Sequence, residues 1–296
     1  MGKQNLRERY ADFFKEVAKH STVAAKIDET NVYQVANPVT RKFMDKLVTE
    51  NMLPDSHLGA EENFLDFYNQ VQAGKRGLIL MEHYSNTDLP GLCYLLERSE
   101  KKELSDLSKK IVAVAGMKLN EENPVVRAFA ESFTRVVIYP TRSLNKKEQQ
   151  AASEEEIQAE EQKARKINFA AMRAMDECKR RGEVILVFPS GTRYRPGKPE
   201  TKRGLREIDS YLRLFDIMIL VTINGCPLEI QDDDMLNDLI EPAKQIFAAS
   251  KVIECKPFRQ NYLATLSADE EDPKQKMIDH VMELLDEQHD IFEKQL

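Results

Sequence analysis

The sequence predicts an α/β fold in which a mixed, largely parallel sheet is flanked by helices, with a small N-terminal helical domain before it. From residue 77 onward, short continuous apolar runs alternate with segments of helical periodicity. Such runs are typical of strands that are buried on both faces. Before that point only helical spacing occurs. We therefore expect a helical domain of residues 1–75 and a larger α/β domain of residues 76–296.

The first domain is predicted from three segments in which apolar residues recur every three or four positions, as in an amphipathic helix. The segments are LRERYADFFKEVAKH, RKFMDKLVTENML and AEENFLDFYNQVQAG. Gly74 and Gly77 mark the end of this helical region.

The larger domain is predicted to contain six strands, each a short apolar run. These runs lie at residues 77–82, 111–115, 135–139, 184–188, 217–223 and 251–255. A long charged helix, from about residue 146 to 181, separates the third strand from the fourth. A final helix is expected in MIDHVMELLDEQHDIFEKQL, after the exposed hinge ADEEDPKQK.

The composition is that of a soluble globular protein, with 42% apolar and 31% charged residues among 296. The first residues lack the apolar core of a signal peptide, and the most apolar run, IMILVTI, is too short to span a bilayer. The four cysteines lie far apart, which favours a reducing compartment. The net charge of −7 argues against broad nucleic-acid binding. We expect a cytoplasmic protein, soluble or peripherally associated with the inner face of the membrane.

The stretch LILMEHYSNTDLPGL, residues 78–92, is the first candidate site. His83 follows a predicted strand, and a helix is expected behind it with Pro90 in its first turn. Ligands of open α/β sheets bind at the carboxyl ends of strands. Asp88 could accept a hydrogen bond from one ring nitrogen of His83, which leaves the other nitrogen to take a proton from a hydroxyl group. The alternative is that Asp88 caps the helix and His83 is an ordinary loop residue.

The second candidate site is EVILVFPSGTRYRPGKPETKRG, residues 183–204. A strand ends at Pro189, and Arg193 and Arg195 follow at alternate positions, which in an extended loop puts both guanidinium groups on one side. One guanidinium group can bind two phosphate oxygens at once, through two parallel N–H donors. The glycine spacing excludes a P-loop, because five residues rather than four separate the glycines and Pro199 follows Lys198. The alternative is a solvated basic turn.

Together the two motifs resemble those of the glycerolipid acyltransferase family, which has a His-x4-Asp motif and a Phe-Pro-x-Gly-x-Arg motif. Here they are HYSNTD and FPSGTR. The segment AGMKLNEENPVVRAFAESFTRVVIYPTRS, residues 115–143, is similar to the region between these motifs in the soluble plastid-type glycerol-3-phosphate 1-O-acyltransferases. The Pro-Ser-Gly sequence and the alternate arginines resemble the same subgroup, whereas lysophosphatidate acyltransferases usually have glutamate at position 190.

The resemblance implies roles for six residues. His83 would be the general base, Asp88 would orient it, and Arg193 and Arg195 would bind the phosphate of glycerol 3-phosphate. A further basic pair of the family corresponds to Arg142 and Ser143, where serine replaces the expected histidine. Tyr194 replaces an acidic residue between the two arginines.

The function that the resemblance implies is transfer of a fatty acyl group from a thioester of acyl carrier protein or coenzyme A to the 1-hydroxyl of glycerol 3-phosphate, and the candidate base, orienting carboxylate and arginines suit this chemistry. The product is lysophosphatidate, a precursor in phospholipid biosynthesis. No metal or bound cofactor is expected. The alternatives are a 1-acylglycerol-3-phosphate acyltransferase, a thioesterase, and a lipid- or carrier-binding protein without turnover.

Several other groups have simpler interpretations. Acidic residues 232–234 favour a solvated turn over a cation site. His280 and His289 do not share a helix face well enough to bind a metal. Ser85 and Ser190 lack the Gly-x-Ser-x-Gly context of a nucleophile. Basic residues near both motifs are candidates for docking an acidic carrier protein, namely Lys101, Lys102, Lys109, Lys110, Lys198, Lys202 and Arg203.

Overall fold

The computed structural model describes residues 2–22, 26–121, 123–140, 153–231 and 234–296. Its helices are α1 Leu6–Arg9, α2 Ala11–Lys19, α3 Pro38–Asn51, α4 Glu61–Gln72, α5 Asp88–Arg98, α6 Lys102–Lys110, α7 Lys118–Glu121, α8 Pro124–Ala130, α9 Glu154–Arg180, α10 Asp209–Leu214, α11 Cys255–Leu263 and α12 Pro273–Glu293. Its strands are β1 Gln4–Asn5, β2 Tyr33–Gln34, β3 His57–Gly59, β4 Gly77–Met81, β5 Ile111–Gly116, β6 Arg135–Ile138, β7 Val184–Val187, β8 Ile217–Asn224, β9 Leu228–Glu229, β10 Leu239–Ile240, β11 Ile246–Ala249 and β12 Ile253–Glu254.

The chain divides into two compact units. The first comprises Met1–Arg9, Asp45–Ile111 and Gly182–Leu296, and the second comprises Tyr10–Met44 and Val112–Arg181. The division at residue 75 expected from the sequence stays a prediction.

The first unit contains a mixed sheet with the strand order β7-β4-β8-β11-β3. Strand β4 runs parallel to both β7 and β8, and β11 is parallel to β3 but antiparallel to β8. Strand β12 pairs antiparallel with β8, and a small antiparallel sheet joins β1, β10 and β9. In the second unit β6 pairs parallel with β5 and antiparallel with β2. The predicted α/β class with a mixed, largely parallel sheet is confirmed.

The core of the first unit lies around β4, β7 and β8, in which every residue is buried. Their aliphatic, largely β-branched sequences suit a sheet that is covered on both faces. Helix α12 packs on β8. Because β4 and β7 are parallel neighbours, their carboxyl ends lie side by side at one edge of the sheet. The two sequence motifs begin at these two ends.

The differences from the sequence prediction concern short strands, among them β9 and β10, which were not predicted. The first 75 residues contain helices, as expected, but also β1, β2 and β3, which are too short to show a period-two pattern. The strand predicted at 251–255 is reduced to β12, because Cys255 already begins α11. Strand β11 was missed because IFAA ends in two alanines, which have little preference for strands.

No helix within the described residues combines the length and the apolar character that crossing a bilayer requires.

Candidate active site

His83 and Asp88 meet in the loop between β4 and α5. The Nδ1 atom of His83 lies 2.9 Å from Oδ2 of Asp88. The same oxygen accepts hydrogen bonds from the main-chain N–H groups of Tyr84 at 2.6 Å and Ser85 at 2.8 Å. The other oxygen, Oδ1, accepts from the Ser85 hydroxyl at 2.7 Å. Asp88 is fully buried, so these four donors replace the water that a carboxylate would otherwise require.

This arrangement fixes which ring nitrogen of His83 is available. An ionised carboxylate only accepts hydrogen bonds, so Nδ1 must carry the proton and Nε2 must carry the lone pair of the neutral ring. The ring of Phe188 stacks on the imidazole with 3.9 Å between centroids. The His83 side chain keeps 18% of its surface exposed, which leaves it open to a substrate.

The helix-cap alternative does not describe this loop. The N-cap of α5 is Thr87, and Asp88 is the first helical residue. The Asp88 carboxylate binds backwards, to the loop that carries His83, rather than to amides of the helix it begins. The geometry is that of an orienting carboxylate, and the catalytic role of the pair is a proposal.

The second motif reaches His83 through the main chain. After β7 the chain reverses at Gly191, whose φ of +62° is favoured by glycine and whose N–H binds the carbonyl of Phe188. A side chain there would place its Cβ 2.5 Å from Leu205. The returning segment donates the N–H of Tyr194 to the carbonyl oxygen of His83 at 2.7 Å. Two motifs about a hundred residues apart are thus joined by one hydrogen bond.

The two arginines have different surroundings. Arg193 is buried and forms an ion pair with the fully buried Asp238. Arg195 is half-buried and lines a cavity of about 450 Å³ together with Pro196, Glu229, Ile230 and Gln231. Its Nε atom has no hydrogen-bond partner among the described residues. Arg195 therefore has a buried guanidinium nitrogen that is unpaired among the described residues, whereas Arg193 already neutralises a carboxylate of the same chain.

Some of the predicted residues lie outside the described part of the chain. These are Arg142 and Ser143, the expected second half of the phosphate site, and Asp232 and Asp233. Of the acidic trio, Asp234 is described, and it forms an ion pair with Arg7.

A set of polar residues to which the sequence analysis gave no role in the site lies beside His83. Glu82 is 3% exposed and is bonded to Tyr84 and to His289 of α12. Tyr84 and Tyr194 meet edge to face with 5.8 Å between their ring centroids. Glu82 had a detectable signal, namely a carboxylate directly after an entirely apolar strand. His289 had none, because its contact depends on where α12 packs.

The remaining nucleophile candidates are engaged elsewhere. The Ser85 hydroxyl binds Asp88, and the Ser190 hydroxyl donates to the carbonyl of Thr192 at 2.7 Å. Burial raises the pKa of Cys226 to about 12, which keeps its thiol protonated at neutral pH.

Several lysines of the expected carrier-docking surface are paired within the chain. Lys101 binds Glu61 at 3.0 Å, and Lys109 binds Asp106 at 3.0 Å. Lys202 lies 2.6 Å from Asp286 of α12. These pairs reduce the positive charge that the residues offer to a partner.

The site thus combines a histidine–carboxylate pair at a strand end of an α/β sheet with an arginine-bearing loop that is hydrogen-bonded to it. A family model described as Acyltransferase matches residues 65–220, more than half of the chain, and the protein belongs to this family. The match supports glycerolipid acyltransferase activity in general and leaves the acceptor open. No curated protein gives a significant sequence match.

Proposed function

We propose that this acyltransferase transfers a fatty acyl group from a thioester to the 1-hydroxyl of glycerol 3-phosphate, producing lysophosphatidate. The observation that carries the proposal is the hydrogen bond between the Tyr194 N–H and the His83 carbonyl. It sets a segment that bears two arginines directly beside a histidine whose Nε2 is available as a base. An acceptor with both a hydroxyl and a phosphate group matches this combination of chemistries.

The reaction begins when Nε2 of His83 removes the proton of the acceptor hydroxyl as its oxygen attacks the thioester carbonyl carbon. Asp88 stabilises the imidazolium that results, because its carboxylate faces Nδ1–H at 2.9 Å. The tetrahedral oxyanion then collapses, the carbon–sulfur bond breaks, and the thiolate takes the proton from His83. Each proton and electron pair is accounted for without a covalent acyl-enzyme.

The acceptor phosphate is assigned to Arg195, with Arg142 and Ser143 as further candidates from the sequence. Arg195 lines the cavity, and its Nε is without a partner among the described residues. The acidic Glu229 at the same cavity is neutralised by its ion pair with Lys3. Arg193, which the sequence also predicted to bind the phosphate, supports this segment by its ion pair with the buried Asp238.

The donor would be acyl carrier protein or acyl coenzyme A, because both present a fatty acyl group as a thioester. The lipid product suits an enzyme that is cytoplasmic and that contacts the inner face of the membrane peripherally. No nucleic-acid partner is part of the proposal.

The test is an incubation with a labelled acyl thioester, with and without glycerol 3-phosphate, followed by separation of the lipid products. We expect labelled lysophosphatidate only when glycerol 3-phosphate is present, and a loss of about a hundredfold to ten-thousandfold in turnover for His83→Ala.

Other products would contradict the proposal. Phosphatidate formed only from added lysophosphatidate would identify a 1-acylglycerol-3-phosphate acyltransferase. Free fatty acid, released whether or not an acceptor is present, would identify a thioesterase. Binding of the thioester without any product would identify a protein that carries lipids without turnover.

A further inference from the structure

The main chain of His83 is bordered on both sides by residues whose side chains meet. Glu82, on one side, accepts a hydrogen bond from the hydroxyl of Tyr84, on the other, at 3.0 Å. The second oxygen of Glu82 accepts from the N–H of Ile223 in β8 at 2.8 Å and lies 3.0 Å from Nδ1 of His289. The Glu82 carboxylate therefore connects the base loop, strand β8 and helix α12.

Helix α12 is fixed to the end of β8 by more than this contact. The side chain of Asn224 donates to the carbonyl of His289 at 2.9 Å and to Glu293 at 2.9 Å. Gln288 donates to the carbonyl of Ala248 in β11 at 2.8 Å. His289 is thus presented to Glu82 from a helix that is itself held on the sheet, and the contact can transmit position to the loop.

The protonation states of the network favour its bonds. Burial and the charge of Glu82 raise the pKa of Tyr84, so its hydroxyl stays protonated and donates. Burial alone would lower the pKa of His289, but the hydrogen bond to Glu82 and the charges of Glu82 and Glu293 raise it above its ordinary value.

Tyr84 also contacts the arginine-bearing segment. Its ring meets that of Tyr194 edge to face, and the ammonium of Lys202 lies 6.0 Å from its centroid. Lys202 in turn binds Asp286, one turn before His289 on α12. The same tyrosine therefore touches Glu82, helix α12 and the segment that donates to the His83 carbonyl.

We propose that Glu82, Tyr84 and His289 form a positioning network that holds the main chain of His83 so that Nε2 faces the acceptor. The inference rests on the proposed role of His83 as the base. The three residues are proposed to act through His83 and are positioning residues. Their effect passes through the two peptide groups that flank His83, and displacement of a catalytic group by even 1 Å can cost about a hundredfold in rate.

The experiment compares Tyr84→Phe, Glu82→Gln and His289→Gln with His280→Gln as the matched control. His280 lies on the same helix, 3.4 Å from Glu283, and its ring stacks on Tyr262 rather than entering the network. We expect each network variant to lower kcat by about tenfold or more while KM for both substrates changes by less than about twofold. The control should retain the wild-type kcat.

The NMR signal of the His83 ring reports directly on its position and completes the test. In protein with ¹⁵N-labelled histidine, the Nδ1–H signal of His83 should shift or broaden in Tyr84→Phe and stay in place in His280→Gln. The hydroxyl deletion is the mildest change, so it serves if the other two variants fail to fold. Unchanged kcat together with an unchanged His83 signal in Tyr84→Phe would overturn the inference and leave a network that only fastens the helix.

The outcome is separable from that of the proposed function. If His83→Ala retains full acyl transfer, the base assignment fails whatever the network variants do. If His83→Ala is inactive and the network variants keep the wild-type kcat, only the positioning role fails.

Discussion

At the scale of single residues, the main feature of Asp88 is that both oxygens of its carboxylate accept hydrogen bonds within the protein. Four donors surround it, and only one of them belongs to His83. The other three hold the carboxylate in place whether or not His83 is protonated. Such preorganisation means that little rearrangement is needed when the imidazolium forms.

We expect Asp88→Asn to lower kcat by at least about a hundredfold, since an amide cannot stabilise the imidazolium and can present an N–H group to Nδ1. Ser85→Ala is the comparison, because it removes one bond to Oδ1 and leaves the contact with His83 intact. Its loss of kcat should be much smaller. Steady-state kinetics with circular dichroism on both variants is the measurement, and a folded Asp88→Asn protein with normal turnover would refute the dyad.

The two arginines should separate in their effects. Arg195→Ala is expected to raise KM for glycerol 3-phosphate, because Arg195 lines the cavity, with little change in stability. Arg193→Ala leaves the Asp238 carboxylate buried without its cation, a change that costs about 3–5 kcal/mol of folding free energy. Urea unfolding and acceptor KM should be measured for both.

Glycerol without phosphate supplies the control for this pair. The Arg195→Ala substitution should lower kcat/KM much less with glycerol than with glycerol 3-phosphate as the acceptor. Equal losses with the two acceptors would show that Arg195 does not recognise the phosphate.

The sequence predicted local contacts of the site better than distant ones. His83 and Asp88 are five positions apart in one loop, so their contact follows from the chain itself. Asp238 and His289 reach Arg193 and Glu82 across 45 and 207 positions, and such contacts depend on the packing of whole elements. A buried arginine partner and a helix-borne histidine leave no periodic signal in the sequence.

At the scale of elements, the strands that were predicted correctly contain runs rich in valine, isoleucine, leucine or methionine. Strands β4, β7 and β8 contain the uninterrupted apolar runs LILM, VILV and IMILV, and burial on both faces explains this composition. The missed strand β3 has only three residues, HLG, and pairs with β11 alone. Its conformation is set by its neighbour rather than by its own sequence.

Helix α5 lies close to β11 because Gly91 has no side chain. A Cβ at this position would lie 2.8 Å from the ring of Phe247. We expect Gly91→Ala to destabilise the protein by about 1–3 kcal/mol, the usual cost of overpacking, and to lower kcat because Asp88 begins the same helix. Gly2→Ala is the control, since its Cβ would meet nothing within 4 Å. The measurement is the thermal unfolding midpoint of both variants. A Gly91→Ala midpoint equal to that of the wild type and of Gly2→Ala would contradict the expectation.

The attachment of α12 should depend on pH. The pKa of His289 is raised in the folded state, with Glu82, Tyr84, Glu293 and Lys202 as the neighbouring titratable groups. A raised pKa gives a stabilisation that is complete below the unfolded value of about 6.5 and is lost as the pH rises through the folded value.

The measurement is the free energy of unfolding of the wild type minus that of His289→Gln, followed from about pH 5.5 to about pH 8.5. We expect the difference to be largest at the acidic end and to shrink as the pH rises. A difference that stays constant, or grows with pH, would show that His289 is not charged in its contact with Glu82.

At the scale of the whole molecule, an excess of acidic residues bears on the choice of donor. The chain has 50 acidic and 43 basic residues, and three of the lysines near the motifs are paired internally. An acidic carrier protein would therefore need a local basic surface. Of the remaining candidates, Lys102 and Arg203 are exposed, whereas Lys110 and Lys198 are partly buried.

We expect kcat/KM for a carrier-linked acyl group to fall more steeply with salt than kcat/KM for a coenzyme A thioester, because exposed charges are screened beyond about 10 Å at 0.1 M salt. Lys102→Glu and Arg203→Glu should weaken the carrier reaction, while Lys256→Glu on α11 serves as a charge-matched control. A carrier rate that rises with salt would mean that net repulsion dominates and that no basic surface docks the carrier.

The hydrogen bond from the Tyr194 N–H to the His83 carbonyl has a consequence for substitutions at position 194. Its donor is a main-chain N–H group, so the hydrogen bond does not depend on which side chain stands at position 194. Nineteen of the twenty encoded amino acids have this group. A substitution that keeps the loop conformation would therefore preserve the link between the two motifs, although it would remove the ring contact with Tyr84. Proline is the exception, because it has no main-chain N–H group to donate.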